Sequence, residues 1–158
     1  MSKLGKIFLF VVLLSNIAFS QNAGFGSLVS DQTEPIEFNS DRLIFNQEGN
    51  LAELFDGVKI IRGKTVLSAE YVKATYSKAN KLEKIFAERN VKLQSDQDIA
   101  SADTAIYSLL ENSISLTGNA QLLQGANNIM ADQILINTET GLTQLLGSVK
   151  TVISPGSN

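Results

Sequence analysis

The chain has 158 residues, a formal net charge of −3 and 44% hydrophobic residues, a composition that suits one globular domain and is too apolar for a disordered chain. It contains no cysteine and no histidine, which excludes a disulfide framework, a thiolate metal site and a serine–histidine triad. Because the commonest general base is absent, an enzyme is the least expected class of protein.

Residues 1–20 have the pattern of a secretory signal peptide. Lys3 and Lys6 precede the apolar run Ile7–Leu14, and the small residues Ala18 and Ser20 come before the expected cleavage point. The alternative is an uncleaved anchor, although the apolar stretch is short for a membrane span of about 20 residues. Without Lys3 and Lys6 the net charge of −3 becomes −5, which argues against a nucleic-acid or anionic-membrane surface.

The rest of the chain is expected to form one all-β domain. Residues 21–34 show little pattern and are predicted to be a flexible lead-in. Residues 35–153, beginning at Pro35, form the domain, and residues 154–158 form a C-terminal tail. Within the domain, short runs of alternating apolar and polar residues are separated by turn residues, which is the pattern of β-strands. Lys78–Glu88 has local helix propensity, but its apolar residues occupy the same repeat positions as strand residues elsewhere.

Two kinds of position recur along the domain. The first is an acidic residue after a small one, at Asp41, Glu70, Asp103 and Asp132. The second is a small apolar residue after a turn, at Val58, Val91, Ala120 and Val149. A turn position precedes the next acid by 12 residues in every case, and an acid precedes the next turn position by 17 residues, or by 21 in the second copy. This period of about 29 residues predicts a stacked architecture in which no single repeat buries its apolar face alone.

The repeated acids also mark a change in the phase of alternation. Inward candidates lie one and three positions before each acid and two and four positions after it, which requires a bend or bulge there. We therefore expect each acid at a corner, where it caps turn groups in solvent. If directly paired strands carried these acids, the carboxylates would form a ladder with a spacing of about 5 Å, and such a ladder could bind Ca²⁺.

Two apparent motifs fail on spacing. Gly57–Thr65 ends like a phosphate-binding loop but has five residues between its glycines, where the motif requires four. Asp96 and Asp98 begin like an EF-hand loop, yet Ala100 and Ser101 stand where a ligand and a glycine are needed. We therefore predict no catalytic residue, no metal site and no cofactor.

The stretch Leu116–Asp132 resembles a known family. Its sequence Leu-Thr-Gly-Asn-Ala-Gln-Leu-Leu-Gln, followed by Asn128-Ile129 and the step Ala131-Asp132, is similar to the LptA/OstA family of periplasmic lipopolysaccharide-transport proteins. The start of the domain agrees, since it resembles that family's first repeat in three places: Glu34-Pro35-Ile36-Glu37-Phe38-Asn39-Ser40-Asp41, Gln47-Glu48-Gly49-Asn50, and Asp56-Gly57-Val58-Lys59-Ile60 followed by Gly63. The resemblance covers residues 34–153.

The resemblance implies an OstA-like β-jellyroll, open at both ends, with a continuous apolar groove. Such proteins are periplasmic carriers that shield the lipid A acyl chains of lipopolysaccharide. They join end to end. An LptC-like inner-membrane protein binds at the N-terminal edge, and an LptD-like outer-membrane protein binds at the C-terminal edge. The expected cleavage of residues 1–20 favours a periplasmic carrier over an LptC-like anchored subunit.

The apolar positions of the repeats are the candidates for lipid contact. They are Ile36, Phe38, Leu54, Val58, Ile60, Ile85, Leu93, Leu116, Leu122 and Ile136. Small residues at other inward positions, such as Ala87, Ala105 and Ala120, leave room for a groove. The alternative is a filled core made of the same residues, as in a structural β-solenoid scaffold with no lipid groove.

The first and last strands are the candidate partner edges. The first, Ile36-Glu37-Phe38, is guarded only by Pro35 and Glu37, and the last, residues 149–153 with Val149, Lys150 and Thr151, carries a single charge. Soluble proteins usually block open edges with charge or proline, so weak guarding suits strand addition by a partner or a second copy. The alternative is that the chain ends fold back over these edges.

Overall fold

Ten antiparallel strands form the part of the chain that the structure describes. The computed structural model describes Phe25, Leu28 and residues 31–153, so the predicted signal peptide and C-terminal tail lie outside the described residues. The strands follow a 3-10 turn at Asp31–Thr33 and are β1 Glu37–Asn39, β2 Arg42–Asn46, β3 Leu51–Arg62, β4 Thr65–Tyr76, β5 Leu82–Ser95, β6 Asp98–Ser108, β7 Ser113–Gln124, β8 Asn127–Asn137, β9 Thr143–Leu146 and β10 Lys150–Val152. Among the described residues, no helix has the length and apolar character needed to span a membrane.

The strands form a single sheet with simple connections. Each strand from β3 to β8 pairs with the next one along the chain. β1 and β2 both pair with β3, and β9 and β10 both pair with β8, so each end of the sheet is a pair of short strands. The all-β prediction is therefore confirmed. The strand assignment within Lys78–Glu88 is also confirmed, since β5 begins at Leu82 after the turn at residues 77–81.

A register shift marks a bend near the middle of the long strands. It falls between Phe55 and Val58 in β3, and equivalent shifts follow in each later pairing up to Thr117 and Ala120 in β7. The extra residues lie on β3, β5 and β7, whose buried positions keep one parity, as at 52, 54, 58 and 60 in β3. The buried positions of β4, β6 and β8 instead change parity at the acid, as at 67, 69, 72 and 74 in β4. This is the change of phase that the sequence predicts at each repeated acid.

The bend divides the sheet into two limbs. Limb A contains β2, β9 and the halves of β3–β8 next to the turns at residues 47–50, 77–81, 109–112 and 138–142. Limb B contains β1, β10 and the halves next to the turns at residues 63–64, 96–97 and 125–126. The apolar side chains of both limbs meet in one buried cluster, so the sheet folds back on itself around a shared interior.

At each corner, two consecutive residues with positive φ face one acid on the neighbouring strand. The pairs are Asp56-Gly57, Arg89-Asn90, Gly118-Asn119 and Gly147-Ser148. The acids are Asp41, Glu70, Asp103 and Asp132. Two acids accept hydrogen bonds from the facing pair: Asn119 Nδ2 donates to Asp103 Oδ2 at 2.9 Å, and Asn90 Nδ2 donates to Glu70 Oε1.

The acids do not form the ladder that direct pairing would give. They lie on alternate strands, namely β4, β6 and β8, with Asp41 between β1 and β2. Successive acids are therefore two strand spacings apart, about 10 Å instead of about 5 Å. Within the described residues, no group of three or more acidic side chains is placed to hold a metal ion.

The described residues of the predicted lead-in, residues 21–34, pack against the domain. Phe25, Leu28 and Asp31 are all buried, and Phe25 and Leu28 belong to the main apolar cluster. Asp31–Thr33 is a 3-10 turn with specific hydrogen bonds to both limbs. The physical reason is that these two apolar residues and one acid find partners only once the two limbs are assembled.

Candidate functional site

The structure brings all ten candidate lipid-contact residues into one cluster. Leu54, Val58, Ile60, Ile85, Leu93, Leu116, Leu122 and Ile136 are buried, each no more than 5% exposed. Ile36 and Phe38 are partly buried and pack against the same cluster. The sequence therefore identified the interior correctly as a set, and a role of these residues in lipid binding stays a prediction.

The buried candidates are shared equally between the two limbs. Limb A contributes Leu54, Ile85, Leu116 and Ile136, and limb B contributes Val58, Ile60, Leu93 and Leu122. Each limb is a pleated sheet whose alternate residues point inward, and the bulge keeps both inward faces turned toward each other. The result is a continuous apolar interior that runs along the whole stack.

We call the side of the interior opposite the corners the open side. Where it is described, the interior is tightly packed near this side. A cavity there has a volume of about 40 Å³ and is lined from both limbs by residues that include Ile60, Leu93, Ala105 and Ile114. This volume suits one or a few water molecules, since a drug-sized ligand needs roughly 300–1,000 Å³. The described state is therefore not one that holds an acyl chain in this cavity.

The segment before β1 closes the open side above this cavity. Asp31 Oδ2 accepts hydrogen bonds from Lys64 N at 3.1 Å and Thr65 Oγ1 at 2.8 Å, on the limb B turn. Gln32 Nε2 donates to Thr138 O of limb A at 2.8 Å. Leu28 and Asp31 both line the cavity. We call Leu28 and the residues Asp31–Glu34 the strap, because they connect the free margins of the two limbs.

Arg62 joins the strap to both limbs. It lies at the end of β3 in limb B, and its Nη1 donates to Tyr107 Oη of limb A at 2.6 Å. Its Nε donates to Glu34 O at 3.2 Å, and its Nη2 donates to Gln32 O. A half-buried cation therefore stands at the mouth of an otherwise apolar interior, with its hydrogen bonds satisfied largely by the strap.

One polar atom at this margin has no partner among the described residues. Thr138 is 1% exposed and lines the cavity, and its Oγ1 makes no hydrogen bond to any residue that the structure describes. Buried hydroxyl groups are normally satisfied, so an orphaned one marks a place where a water or a ligand atom fits. The sequence did not identify Asp31, Arg62, Tyr107 and Thr138 as members of this site. No local pattern relates four residues that meet only after folding. The apolar residues Phe25 and Leu28 were the one sequence signal that the segment before β1 packs against the domain.

Among the described residues, each end of the stack exposes the unpaired outer edges of its short strands. Glu37 and Phe38 lie in β1, and Lys150 and Thr151 lie in β10, as the edge prediction required. Ile36 and Val149 adjoin these strands but lie outside them, which corrects the predicted strand boundaries. The prediction also covered only limb B, because in limb A the edges are β2 and β9.

Large apolar side chains are exposed at both ends. Leu43, Ile44 and Phe45 of β2 are exposed at one end, and Leu146, Val149 and Val152 at the other. Leu43 pairs with Leu54 and Phe45 pairs with Ala52, so both point toward the interior. The apolar interior thus reaches the end of the stack uncovered.

The pKa is shifted for two tyrosines, Tyr71 on the outer face of limb A and Tyr76, which packs against the apolar cluster. Burial and a hydrogen bond to Glu53 at 2.6 Å raise the pKa of Tyr71 to about 12. Burial also raises the pKa of Tyr76. Tyr71 contacts Phe55 on the outer face of limb A, with ring centroids 5.2 Å apart and ring planes tilted by 53°. These groups stay neutral at physiological pH and are structural.

Comparison with known families decides what this architecture is. A family model described as "LptA/(LptD N-terminal domain) LPS transport protein" matches residues 37–142, two-thirds of the chain. The chain belongs to this family. The matched region begins at β1 and ends just before β9, so it contains both limbs.

A solved structure shares the fold of this LPS transport family member. It is LptH of Pseudomonas aeruginosa, described as "the LptA homologous periplasmic component of the conserved lipopolysaccharide transport device". The alignment covers 80% of this chain and 99% of LptH with a TM-score of 0.71 and 18% sequence identity. No curated protein sequence matches the chain significantly. The predicted family and the open-ended, jellyroll-type β fold are thereby confirmed.

Proposed function

We propose that this protein is a periplasmic carrier that holds lipopolysaccharide by the acyl chains of its lipid A. The observation that carries the proposal is the continuous apolar interior, built from both limbs and open to solvent at both ends of the stack. Membership of the LPS transport family supports the choice of ligand.

The chemistry of the interior suits acyl chains. Each methylene group moved from water into apolar surroundings gains about 0.8 kcal/mol, so a chain of ten buried groups gains roughly 8 kcal/mol without a polar contact. A carrier of this kind therefore needs no sharp binding motif, in keeping with the purely apolar character of the ten candidate residues.

The edges supply the second part of the proposal. β1 and β2 form a bent edge for an LptC-like inner-membrane partner, and β9 and β10 form one for an LptD-like outer-membrane partner. The exposed apolar residues at both ends support strand addition, because a partner strand would satisfy the backbone and cover them. Head-to-tail joining of identical copies uses the same two surfaces.

Site-specific photo-crosslinking in cells tests the carrier role. A compact diazirine amino acid at Phe38, Leu54, Leu93 or Leu116 should form adducts with lipopolysaccharide. Lys92 and Gln94 flank Leu93 on the same strand and point outward, so the same substitution there is the matched control and should give none. An absence of adducts at all four interior positions would rule out the carrier.

A structural scaffold is the second candidate, and the small volume of the cavity favours it. A scaffold would assemble end to end but take up no lipid after delipidation, whereas a carrier would bind lipopolysaccharide from micelles. An LptC-like anchored subunit would retain residues 1–20, which mass spectrometry of the N-terminus of the mature protein would reveal.

A further inference from the structure

We propose that the strap is a built-in occupant of the groove mouth, that an anionic amphiphile displaces it, and that Arg62 then binds the anionic head group. This rests on the proposed carrier function and goes beyond it, since it names a gate and a head-group site. The class of ligand is an acyl chain that carries a phosphate or carboxylate near its polar end.

The cavity under the strap is too small for an acyl chain. The cavity under the strap has about 40 Å³, while the apolar walls around it come from both limbs and continue into the main cluster. An acyl chain cannot enter here unless something leaves. Phe25 and Leu28 are the apolar side chains of that cluster that lie outside the sheet, so they can withdraw without breaking a strand pairing.

Hydrogen bonds hold the strap against the two limbs. Asp31 accepts hydrogen bonds from Lys64 N and Thr65 Oγ1, Gln32 donates to Thr138 O, and Arg62 donates to the carbonyl oxygens of Gln32 and Glu34. Gly63 shows how closely Asp31 sits, because a Cβ at that position would lie 2.2 Å from Asp31 Oδ1. We call the hydrogen bonds that converge on the carboxylate of Asp31 the latch, because they can break while the sheet stays intact. A paired strand could not leave without breaking the strand pairing.

Departure of the strap would leave polar groups at the mouth available for a ligand. When Asp31–Glu34 departs, Arg62 loses the carbonyl oxygens of Gln32 and Glu34 and, of its partners among the described residues, keeps Tyr107. A guanidinium with free donors is well suited to a phosphate or carboxylate. Thr138 Oγ1, which has no partner in the described part of the chain, lies at the same margin and offers a further donor. The polar groups at the mouth thus match the head of an amphiphile whose chain takes the place of Leu28.

A reversible lock tests the gate. Asp31 and Thr65 are in side-chain contact, and the chain has no cysteine, so Asp31→Cys/Thr65→Cys would form a single disulfide in the mature protein. Uptake of a fluorescent long-chain fatty acid should be at least about tenfold slower in the oxidised form than in wild type. The reduced form lacks the Asp31 latch and should be at least about tenfold faster than wild type.

A single variant guards against failure of the double one. Asp31→Ala should accelerate uptake as the reduced double variant does. Asp103→Ala removes a corner acid that accepts one hydrogen bond and should leave the rate unchanged. Hydrogen exchange at residues 31–34 should increase when the fatty acid is bound.

The head-group site has its own readout. Wild type should bind the fatty acid several-fold more tightly than its neutral methyl ester, and Arg62→Gln should abolish this preference. Lys64→Gln, which changes an exposed cation on the adjacent turn, should keep it. Retained preference in Arg62→Gln would overturn the head-group assignment.

The outcomes separate the two proposals. Equal uptake by wild type, the oxidised form and the reduced form would overturn the strap while leaving the carrier function intact. No uptake by any form, including Asp31→Ala, would overturn the carrier function and the strap with it.

Discussion

At the scale of single residues, the corners hold the two limbs in their relative orientation. Each corner needs two consecutive residues in the left-handed region, which side chains rarely adopt, and a facing acid that fits against them. Arg89-Asn90 is the one pair without glycine or serine, and there the facing acid is Glu70, which also forms an ion pair with Arg89 at 3.7 Å.

Gly118→Ala should destabilise the protein more than Gly125→Ala. Both glycines have positive φ, 82° and 58° respectively, so both substitutions carry backbone strain of about 1 kcal/mol or more. A Cβ at Gly118 would lie 2.5 Å from Asp103 Oδ2, whereas a Cβ at Gly125 would meet nothing within 4 Å. Urea unfolding should show an additional loss of about 1–2 kcal/mol for Gly118→Ala. Equal losses would show that the acid does not restrict the corner.

Tyr71 should make stability fall at alkaline pH. Burial and the hydrogen bond to Glu53 raise its folded pKa to about 12, above the unfolded value of about 10. The contribution to folding is therefore present below pH 10 and is lost as the pH rises toward 12. Thermal unfolding of Tyr71→Phe should depend less on pH in this window. In a titration at 295 nm, Tyr71→Phe should lose a late-ionising component, and persistence of that component would contradict the assignment.

At the scale of elements, alternation on each half-strand builds the interior. The buried side chains of β3–β8 alternate with less buried ones, and both halves of every strand present their apolar residues to the interior. The resulting core is shared by six strands, so it tolerates little loss of volume.

Leu116→Ala should cost about 2–5 kcal/mol of unfolding free energy, because Leu116 is fully buried in the centre of β7. Leu110→Ala is the control, since Leu110 is 75% exposed in a turn and its loss should change stability by no more than about 0.5 kcal/mol. Chemical denaturation of both variants measures the difference. A cost below about 1 kcal/mol at Leu116 would mean that the interior is loosely packed even without lipid.

The β2 edge should distinguish its two faces. Phe45 points toward the interior and Ile44 points outward, yet both are exposed at the end of the stack. Phe45→Lys would place a charge where the apolar interior of a second copy continues, and it should weaken self-association at least about tenfold. Ile44→Lys should weaken it less. Analytical ultracentrifugation over a range of concentrations would measure both, and equal effects would argue against a continuous shared interior.

At the scale of the whole molecule, the protein is an open stack. Each repeat is two antiparallel strands, and the short edge strands at each end leave the stack able to extend. The strap and Arg62 close the side of the interior opposite the corners, while the ends expose apolar residues. The fold thus combines one side covered by the strap with two ends that expose apolar residues.

The sequence alone determined the repeat, the corners and the inward residues. A 29-residue period, a fixed acid and a change of alternation are local properties, so Asp103, Leu116 and Ala120 could be assigned correctly from spacing alone. The sequence did not determine which strands carry neighbouring acids, where the edge strands divide between the limbs, or what residues 25–34 do. Asp31, Arg62, Tyr107 and Thr138 come from four distant parts of the chain, and their contacts exist only after the sheet has folded on itself. Only the tertiary structure brings these residues together, because hydrogen bonds across a closed margin leave no periodic signal in the chain.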